Sequence, residues 1–403
     1  MTTPVTPDRH GAAVASAIRL TACCLACWLT VLALSGPGAA ESGVDGTSIT
    51  FGQSAVFSGQ NRILGRDYRA GILAAFRERN LEGGVAGRTL SLIAHDDAYE
   101  PDLAARNAER FVADNNVFAV IGGVGTPTAR RIAPVLRSAD IPFVGQLTGA
   151  DFLRDAERFP GVINLRSGYM DEIRLLVDYL VRERGKSRFG IIYQDDAFGR
   201  SVLQNYLTVL EEYDLPLLAK TGYSRNTHAV HATLFSAAQV EPDTILVVGS
   251  YAANAEIINL AETLGHEYIM ANLSFVLSHE LKKRIDEPSE RVLVTEVVPD
   301  ATDTSMKIVR RYQDAMRTEF ADREFNEASL EGYILGRFVI AVLERMEGEW
   351  TRDLFMQQAL RSGPFHIDDW TVEFQPGGNT GSTYIRLTDL GEMTRGDRAG
   401  EEG

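Results

Sequence analysis

Short runs of apolar residues alternate along the chain with longer segments in which apolar residues recur at helical spacing. Residues 49–56 form the first such run and predict a strand, after which Leu64, Tyr68 and Ile72 fall on one face of a predicted helix. Residues 367–390 predict strands around a turn at residues 377–379. The other predicted strands cover residues 88–95, 117–121, 141–145, 162–166, 188–193, 217–223, 244–249 and 292–298.

This alternation predicts an α/β protein with parallel sheets that carry helices on both faces. The strand–helix pattern runs to about residue 150 and restarts at residue 162, which predicts two doubly wound lobes. Ligands of such sheets bind beyond the carboxyl ends of the strands. The loops that leave the strands are therefore the places to look for a site.

The N-terminal segment predicts a secretory signal over residues 1–40. Arg19 precedes an apolar run over residues 20–34, and small residues up to Ala40 supply the expected cleavage site. A membrane-anchoring helix is the alternative, but the run is shorter than the roughly 20 residues that span a bilayer. Lipidation at Cys23 is a second alternative, because Cys23 follows residue types that suit a lipoprotein signal.

Composition narrows the possible functions. All three cysteines lie within the predicted signal, so the exported chain would have no disulfide and no thiolate nucleophile or metal ligand. The formal charge of −15 disfavours nucleic acid as a partner, because an acidic surface repels phosphate backbones. The length is sufficient for two domains of ordinary size.

The loop over residues 122–128 is the strongest candidate for ligand contact. It follows a buried strand, and it places Thr126 at the predicted N-cap and Pro127 at the first helical position. Its glycines allow close approach to the backbone, and the exposed N–H groups favour an anion such as a carboxylate. An ordinary capped helix without a ligand is the alternative.

Four further loops lie at corresponding strand ends. Residues 146–150 and 57–62 would complete one wall of a pocket in the first lobe. In the second lobe, Phe198 and Tyr251 could supply apolar and hydroxyl contacts from the opposite side. Simple packing at a strand end is the alternative for both of these residues.

Catalytic and metal-binding motifs are not recognised. The sequence has no G-x-S-x-G elbow and no H-E-x-x-H motif, and the glycine-rich residues 83–89 lack the lysine of a phosphate loop. His228 and His231 could share a metal, although a solvated pair is favoured because no other ligand cluster supports it. We therefore expect neither an enzyme nor a bound metal or cofactor.

Several segments, in order and spacing, resemble one known family. They are Ser58-Gly59 with Leu64-Gly65 and residues 68–71, then residues 83–88 and 96–101, Ile121-Gly122 with Thr126, Asp196 with Phe198-Gly199, and residues 274–276. Over residues 49–390 the chain resembles the leucine/isoleucine/valine-binding family of periplasmic proteins, the type I two-lobe solute-binding fold. The resemblance implies that the two lobes close on a small ligand about a hinge of chain crossovers.

The same resemblance implies domain boundaries and partners. The N-terminal lobe would contain residues 45–166 and 298–366, the C-terminal lobe residues 167–297 and 367–392, and residues 393–403 would form a frayed tail. A monomeric periplasmic protein would deliver its ligand to an ABC-type permease in the inner membrane. A ligand-sensing receptor subunit of the same fold is the alternative function.

Ligand contacts carry over position by position in the first lobe. Thr126 matches a hydroxyl contact to the ligand carboxylate, and Leu147, Thr148 and Gly149 match the loop that holds the carboxylate and amino groups. Leu64 falls at an apolar side-chain contact. Ser58, in the loop over residues 57–62, is included in the same predicted wall.

In the second lobe, Phe198 falls where many relatives have tyrosine, and Tyr251 matches an aromatic ligand contact. Ser274 departs from the pattern, because amino-acid-binding relatives place an acidic residue there for the ammonium group. A buried ammonium without a charge partner is costly. The predicted ligand is therefore either a branched-chain or related amino acid or an organic acid without an amine.

Overall fold

The computed structural model describes residues 1–3, 41–227 and 229–393. The predicted features outside these residues are the signal sequence from residue 4 onward, Cys23, His228 and the tail from residue 394. The predictions made for those features stay predictions.

The described chain alternates strands with helices, as the sequence predicts. The strands are β1 (Ser48–Ala55), β2 (Thr89–Asp96), β3 (Val120–Ile121), β4 (Phe143–Val144), β5 (Val162–Ile163), β6 (Phe189–Gln194), β7 (Leu217–Tyr223), β8 (Thr244–Val248), β9 (Ile269–Asn272), β10 (Val292–Glu296), β11 (Phe365–Ile367), β12 (Trp370–Val372) and β13 (Arg386–Asp389). The helices are α1 (Arg62–Leu81), α2 (Pro101–Asp114), α3 (Thr126–Arg137), α4 (Tyr169–Arg182), α5 (Ala197–Glu212), α6 (His231–Ala238), α7 (Tyr251–Thr263), α8 (Ser278–Lys282), α9 (Lys307–Glu319), α10 (Glu327–Glu344) and α11 (Arg352–Arg361). Within the described ranges, none of these helices has the combination of length and apolar character that a membrane crossing needs.

The first sheet has the order β2-β1-β3-β4-β5, and all of its strands are parallel. This order belongs to the doubly wound α/β class, in which helices cover both faces. The strands β3 and β4 are fully buried and pair over only two residues each, so the loops that follow them begin deep inside the lobe.

The second sheet has the order β13-β10-β9-β8-β6-β7. Its strands are parallel except for β13, which pairs antiparallel with β10 at the edge. The central strands β8, β9 and β10 are buried along their whole length, as expected for a sheet covered on both faces. The prediction of two doubly wound α/β lobes is therefore confirmed.

Glycines allow the long helix α10 to pack closely against α1 in the first lobe. A Cβ atom on Gly71 would lie 1.9 Å from the carbonyl oxygen of Ser329, and one on Gly332 would lie 2.1 Å from that of Tyr68. Both distances are impossible for real atoms, so a larger residue would push the two helices apart. Residues from the second half of the sequence thereby complete the first lobe.

The chain passes between the two sheets three times. It leaves β5 through residues 165–168 and leaves β10 through residues 297–306. The third passage differs from the predicted boundary between residues 366 and 367. Hairpin β11–β12 packs on α10 through the rings of Phe338 and Phe365, 5.1 Å apart, and Thr380 still pairs with Asn164 beside the first sheet. The chain therefore returns to the second lobe only between Thr380 and β13.

Candidate ligand-binding cleft

Two buried threonine hydroxyls face each other at the carboxyl edge of the first sheet. Thr126 follows β3 and Thr148 follows β4, and their Oγ1 atoms are 2.7 Å apart. Both side chains are almost completely inaccessible. Because β3 and β4 are parallel neighbours, their following loops are brought side by side, and the predicted pairing of these two loops is present.

Thr126 is the first residue of α3 rather than its N-cap. Gly125 occupies the N-cap position with φ of 91°, in the region that favours glycine, and no side chain caps the helix. The prediction that Thr126 is the N-cap is therefore wrong by one residue. Its hydroxyl is left free of the helix backbone, whereas the hydroxyl of Thr128 bonds the carbonyl oxygen of Gly125 at 2.9 Å.

The loop after β4 is fixed by its backbone. The N–H of Leu147 donates to the carbonyl oxygen of Gly123 at 2.7 Å, and the N–H of Gly125 donates to the carbonyl oxygen of Leu147 at 3.1 Å. Gly149 accepts from the N–H of Tyr169, and a Cβ atom at Gly149 would lie 2.7 Å from that residue. The predicted loop residues thus lie together, with the N–H of Leu147 already used within the loop.

An aromatic cluster adjoins these hydroxyls through Tyr169. The ring of Tyr169 is 5.2 Å from that of Phe198, which is 4.9 Å from that of Phe275, and Phe275 stacks with Tyr99 at 6.0 Å. All four side chains are buried. The hydroxyl of Thr148 also contacts the Tyr169 hydroxyl at 3.4 Å, so the cluster begins at the threonine pair.

Contacts across the cleft join the two lobes at its rim. The Tyr251 hydroxyl donates to the carbonyl oxygen of Gln60 at 2.6 Å. Arg225 pairs with Glu100 of the first lobe at 2.7 Å and with Asp196 of its own lobe at 3.4 Å. The structure therefore has its two lobes in direct contact, and Tyr251 reaches the first lobe as a hydrogen-bond donor.

Asp196 begins α5 and positions Phe198. One carboxylate oxygen accepts from the backbone N–H groups of Phe198 and Gly199, and the other accepts from the Gln194 side chain at 2.6 Å. Burial raises the pKa of this carboxyl, while these hydrogen bonds and Arg225 act in the opposite direction. The predicted Asp-x-Phe-Gly segment is thus a capped helix start that holds Phe198 in the aromatic cluster.

A buried charged network surrounds Ser274. Its backbone N–H and its hydroxyl both donate to Glu172, each at 2.9 Å, and the guanidinium of Arg166 donates to the same hydroxyl. Arg166 also lies 3.6 Å from Glu331 of α10. Burial raises the pKa of Glu172 and of Glu331, and Arg166 offsets part of that effect in both carboxyls.

This network modifies the expectation for Ser274, since an acid does lie beside it. Glu172 comes from α4 rather than from the loop at Ser274, and Arg166 comes from the first chain passage between the sheets. No local motif could have indicated the contact, because Ser274 is 102 residues from Glu172 and 108 from Arg166. Tyr99 and Phe275, which stack on each other beside this network, were not among the predicted residues, although both stand in segments that carry the family resemblance.

The two remaining predicted residues lie in different surroundings. Leu64 is fully buried in the hydrophobic core. Ser58 is exposed at the surface, where it hydrogen-bonds Asp96. Their roles as ligand contacts stay predictions. Within residues 41–227 and 229–393, no group of three or more histidine, cysteine, aspartate or glutamate residues is arranged to hold a metal ion.

The chain is similar in sequence to known proteins. The family model described as periplasmic binding protein matches residues 48–389. A Leu/Ile/Val-binding protein homolog from Brucella abortus is 22% identical over 333 residues, covering 79% of this chain and 82% of the relative.

Solved structures with the same fold superpose on this chain. A possible leucine/isoleucine/valine-binding protein from Rhodopirellula baltica superposes with a TM-score of 0.80 at 31% identity, covering 86% of this chain and 95% of that one. A branched-chain amino acid transporter substrate-binding protein from Streptococcus pneumoniae, in complex with isoleucine, gives a TM-score of 0.74 at 14% identity and covers 85% and 96%. The chain belongs to the periplasmic binding protein family, with the leucine/isoleucine/valine-binding type of fold.

Proposed function

We propose that this protein is the substrate-binding component of an ABC-type uptake system, which captures a small carboxylate-bearing solute between its lobes. The observation that carries the proposal is the pair of buried hydroxyls of Thr126 and Thr148, 2.7 Å apart at the start of α3. Isoleucine, bound by the Streptococcus pneumoniae protein, also carries a carboxylate.

The threonine pair suits an anionic oxygen. Each hydroxyl can rotate to donate a hydrogen bond, and the N-terminal end of α3 adds a favourable dipole. A charge-assisted hydrogen bond contributes roughly 1.5–3 kcal/mol, so two of them could supply a large part of the affinity of a small ligand. Gly149 allows Tyr169 to pack directly against this loop.

Contacts between the lobes support capture by closure. Phe275 and Tyr251 contact first-lobe groups from the second lobe, and Arg225 pairs with Glu100 across the rim. A ligand that contacts both walls binds the closed state more tightly and shifts the population toward it. The closed form would then be the form that an inner-membrane permease recognises.

The remaining features of the proposal follow from this role. The protein would act in the periplasm as a monomer, without a cofactor, after export by its N-terminal segment. Leu147, Thr148, Gly149 and Thr126 would form the head-group wall, and Phe198, Tyr251 and Ser274 would contribute from the second lobe. Leu64 and Ser58 would have at most an indirect role, given the surroundings described above.

An uptake experiment tests this function. In the native host, deletion of the gene should abolish uptake of the radiolabelled acid that binds the purified protein best. Re-expression of the wild-type chain should restore uptake, and the Thr126→Ala/Thr148→Ala chain should not, although it is exported in equal amount. Undiminished uptake in the deletion strain, together with a lost chemotactic or transcriptional response to the acid, would favour the sensing alternative.

A further inference from the structure

Three arginines follow one another along a single face of α1. Arg62, Arg66 and Arg69 are spaced by four and then three residues, which places them on neighbouring turns of that face. Within residues 41–227 and 229–393 none of the three forms an ion pair, whereas Arg77, further along the same helix, pairs with Glu319 at 3.5 Å. On a chain with a formal charge of −15, this face carries positive charge that is available to another molecule.

Two of these arginines, together with Arg323, line a pocket of about 450 Å³ between α1 and the chain that follows α9. The remaining lining residues are apolar: Phe57, Ala70, Leu73 and Phe320. Cζ of Arg69 lies 5.4 Å from the centre of the Phe57 ring. Cζ of Arg323 lies 5.5 Å from the centre of the Phe320 ring. The pocket is therefore an apolar depression with guanidinium groups at its sides.

The guanidinium groups are held in place, and N–H donors are left over. Nε of Arg66 donates to the carbonyl oxygen of Phe57 at 2.7 Å, and Nη1 of Arg323 donates to the carboxylate of Asp67 at 2.6 Å. Nε of Arg69 is buried and has no acceptor in the described part of the chain. Each guanidinium has five N–H donors in a planar fork that matches a carboxylate. The pocket therefore offers preorganised donors to an anionic group.

The arginine face begins where the two lobes touch. Asn61, directly before α1, donates from Nδ2 to Oδ1 of Asn226 in the second lobe at 3.0 Å. Tyr251 of the same lobe donates to the carbonyl oxygen of Gln60. These contacts require the lobes to be close together. A partner seated over Arg62 and the pocket would therefore lie beside the edge that closure completes.

The shape of the pocket favours a protein side chain over a lipid surface. A membrane contacts the residues that project furthest, whereas Arg69 is partly buried and Leu73 lies on the pocket wall. A carboxylate can form two parallel hydrogen bonds with a guanidinium, and an apolar neighbour of that carboxylate would cover the two rings. Arginine and aromatic residues are also enriched at the centres of protein–protein interfaces.

Resting on the proposed function, we infer that Arg66, Arg69 and Arg323 form the first-lobe docking site for the inner-membrane permease. The segment that enters the pocket carries an acidic side chain next to an apolar one. Complementary charge speeds such an encounter and fixes its orientation. None of the pocket residues is among the predicted ligand contacts, so substitutions can separate recognition by the permease from capture of the ligand.

Charge reversal in the pocket, matched by charge reversal elsewhere, tests the inference. Arg66→Glu/Arg69→Glu is compared with Arg106→Glu/Arg137→Glu, which changes the net charge equally at exposed positions of α2 and α3. Each chain is expressed in the deletion strain, and uptake is measured with the radiolabelled acid that binds the purified protein best. The pocket variant should bind that acid within about twofold of wild type by calorimetry but support about a tenth of wild-type uptake or less. The control should match wild type in both.

The outcomes separate this inference from the proposed function. Wild-type uptake by the pocket variant would overturn the docking site and leave the proposed function standing, as would an uptake loss fully explained by weaker ligand binding. Normal uptake in the deletion strain itself would overturn both.

Two further measurements complete the test. If the reversed chain does not fold, Arg66→Gln/Arg323→Gln neutralises two exposed arginines and should still lower uptake about threefold, and unchanged uptake would overturn the docking site. Wild-type protein and the pocket variant are also floated with vesicles that contain phosphatidylglycerol. We expect no binding of either protein. Binding of the wild type that the variant loses would assign the pocket to a lipid surface and overturn the inference.

Discussion

The two walls of the cleft are built from different chemistry. The first-lobe wall presents the hydroxyls of Thr126 and Thr148 on loops fixed by backbone hydrogen bonds. The second-lobe wall presents the rings of Phe198 and Phe275, held by a capped helix and by the segment at Ser274. Under the proposed function, the first lobe would bind the head group that many ligands share, and the second would select the rest of the molecule.

The largest effect should come from removing the head-group wall. Thr126→Ala/Thr148→Ala should weaken every acid by about 100-fold or more, because two charge-assisted hydrogen bonds are lost. Thr208→Ala is the matched control, since the hydroxyl of Thr208 donates to the carbonyl oxygen of Gln204 within α5. Calorimetry measures the affinities, and an effect confined to aromatic acids would contradict the division between the walls.

A second experiment asks how strongly an ion pair joins helix α8 to helix α10. His279 of α8 pairs with Glu327 of α10, and that carboxylate raises the pKa of the imidazole to about 9. The contribution of this ion pair to the free energy of unfolding is complete below the unfolded-state imidazole pKa of about 6.5. It is lost as the pH rises through 9. His279→Gln should therefore lower the free energy of unfolding by about 1–3 kcal/mol at pH 6, and by much less at pH 9.5.

Chemical denaturation at the two pH values provides this measurement. His231→Gln is the control, because the imidazole of His231 is exposed and lies 3.3 Å from an exposed Glu256. It should change stability little at either pH. A constant deficit of the His279 variant across the range would mean that packing, and not the ion pair, joins α8 to α10.

A substitution at Asp97 tests the loop that holds Tyr99, because the Asp97 carboxyl accepts a hydrogen bond from the N–H of Tyr99. Burial raises the pKa of its carboxyl to about 7, so the folded state holds the proton more tightly than the unfolded state. The contribution of the protonated Asp97 carboxyl to folding stability is complete below the unfolded-state pKa of about 3.9. It is lost as the pH rises through 7. Relative to wild type, Asp97→Asn should gain about 1–2 kcal/mol of stability between pH 5 and pH 6.5. Parallel stability curves would contradict the assignment.

The smallest effect is expected at the rim. Arg225→Ala removes the ion pair with Glu100 across the lobes and should weaken all ligands equally, by about three- to fivefold, because a partly exposed pair contributes little. Arg200→Ala is the control, since its partner Asp195 lies in the same lobe, 2.7 Å away. Small-angle scattering should show that only the Arg225 variant is more open at subsaturating ligand.

The proximity of Thr126 and Thr148 could be predicted from the sequence, and Phe198 and Tyr251 were recognised as candidates, but Phe275 and the charged network around Ser274 were not. Glycine and hydroxyl residues directly after a buried strand are local signals, and strand order then brings Thr126 and Thr148 together. The contacts of Arg166 and Glu172 with Ser274 depend on where the chain passes between lobes, which no local pattern encodes. The third passage was misplaced for the same reason, because the packing of hairpin β11–β12 on α10 is a tertiary contact.

The most direct test of the account compares the tightest-binding acid with its primary amide. Both have the same shape, but only the acid offers a carboxylate to the hydroxyls of Thr126 and Thr148. We predict that the amide binds at least 100-fold more weakly to the wild-type protein, and that the difference nearly disappears in Thr126→Ala/Thr148→Ala. Equal affinity of the acid and the amide for the wild-type protein would contradict the central claim that this wall binds a carboxylate.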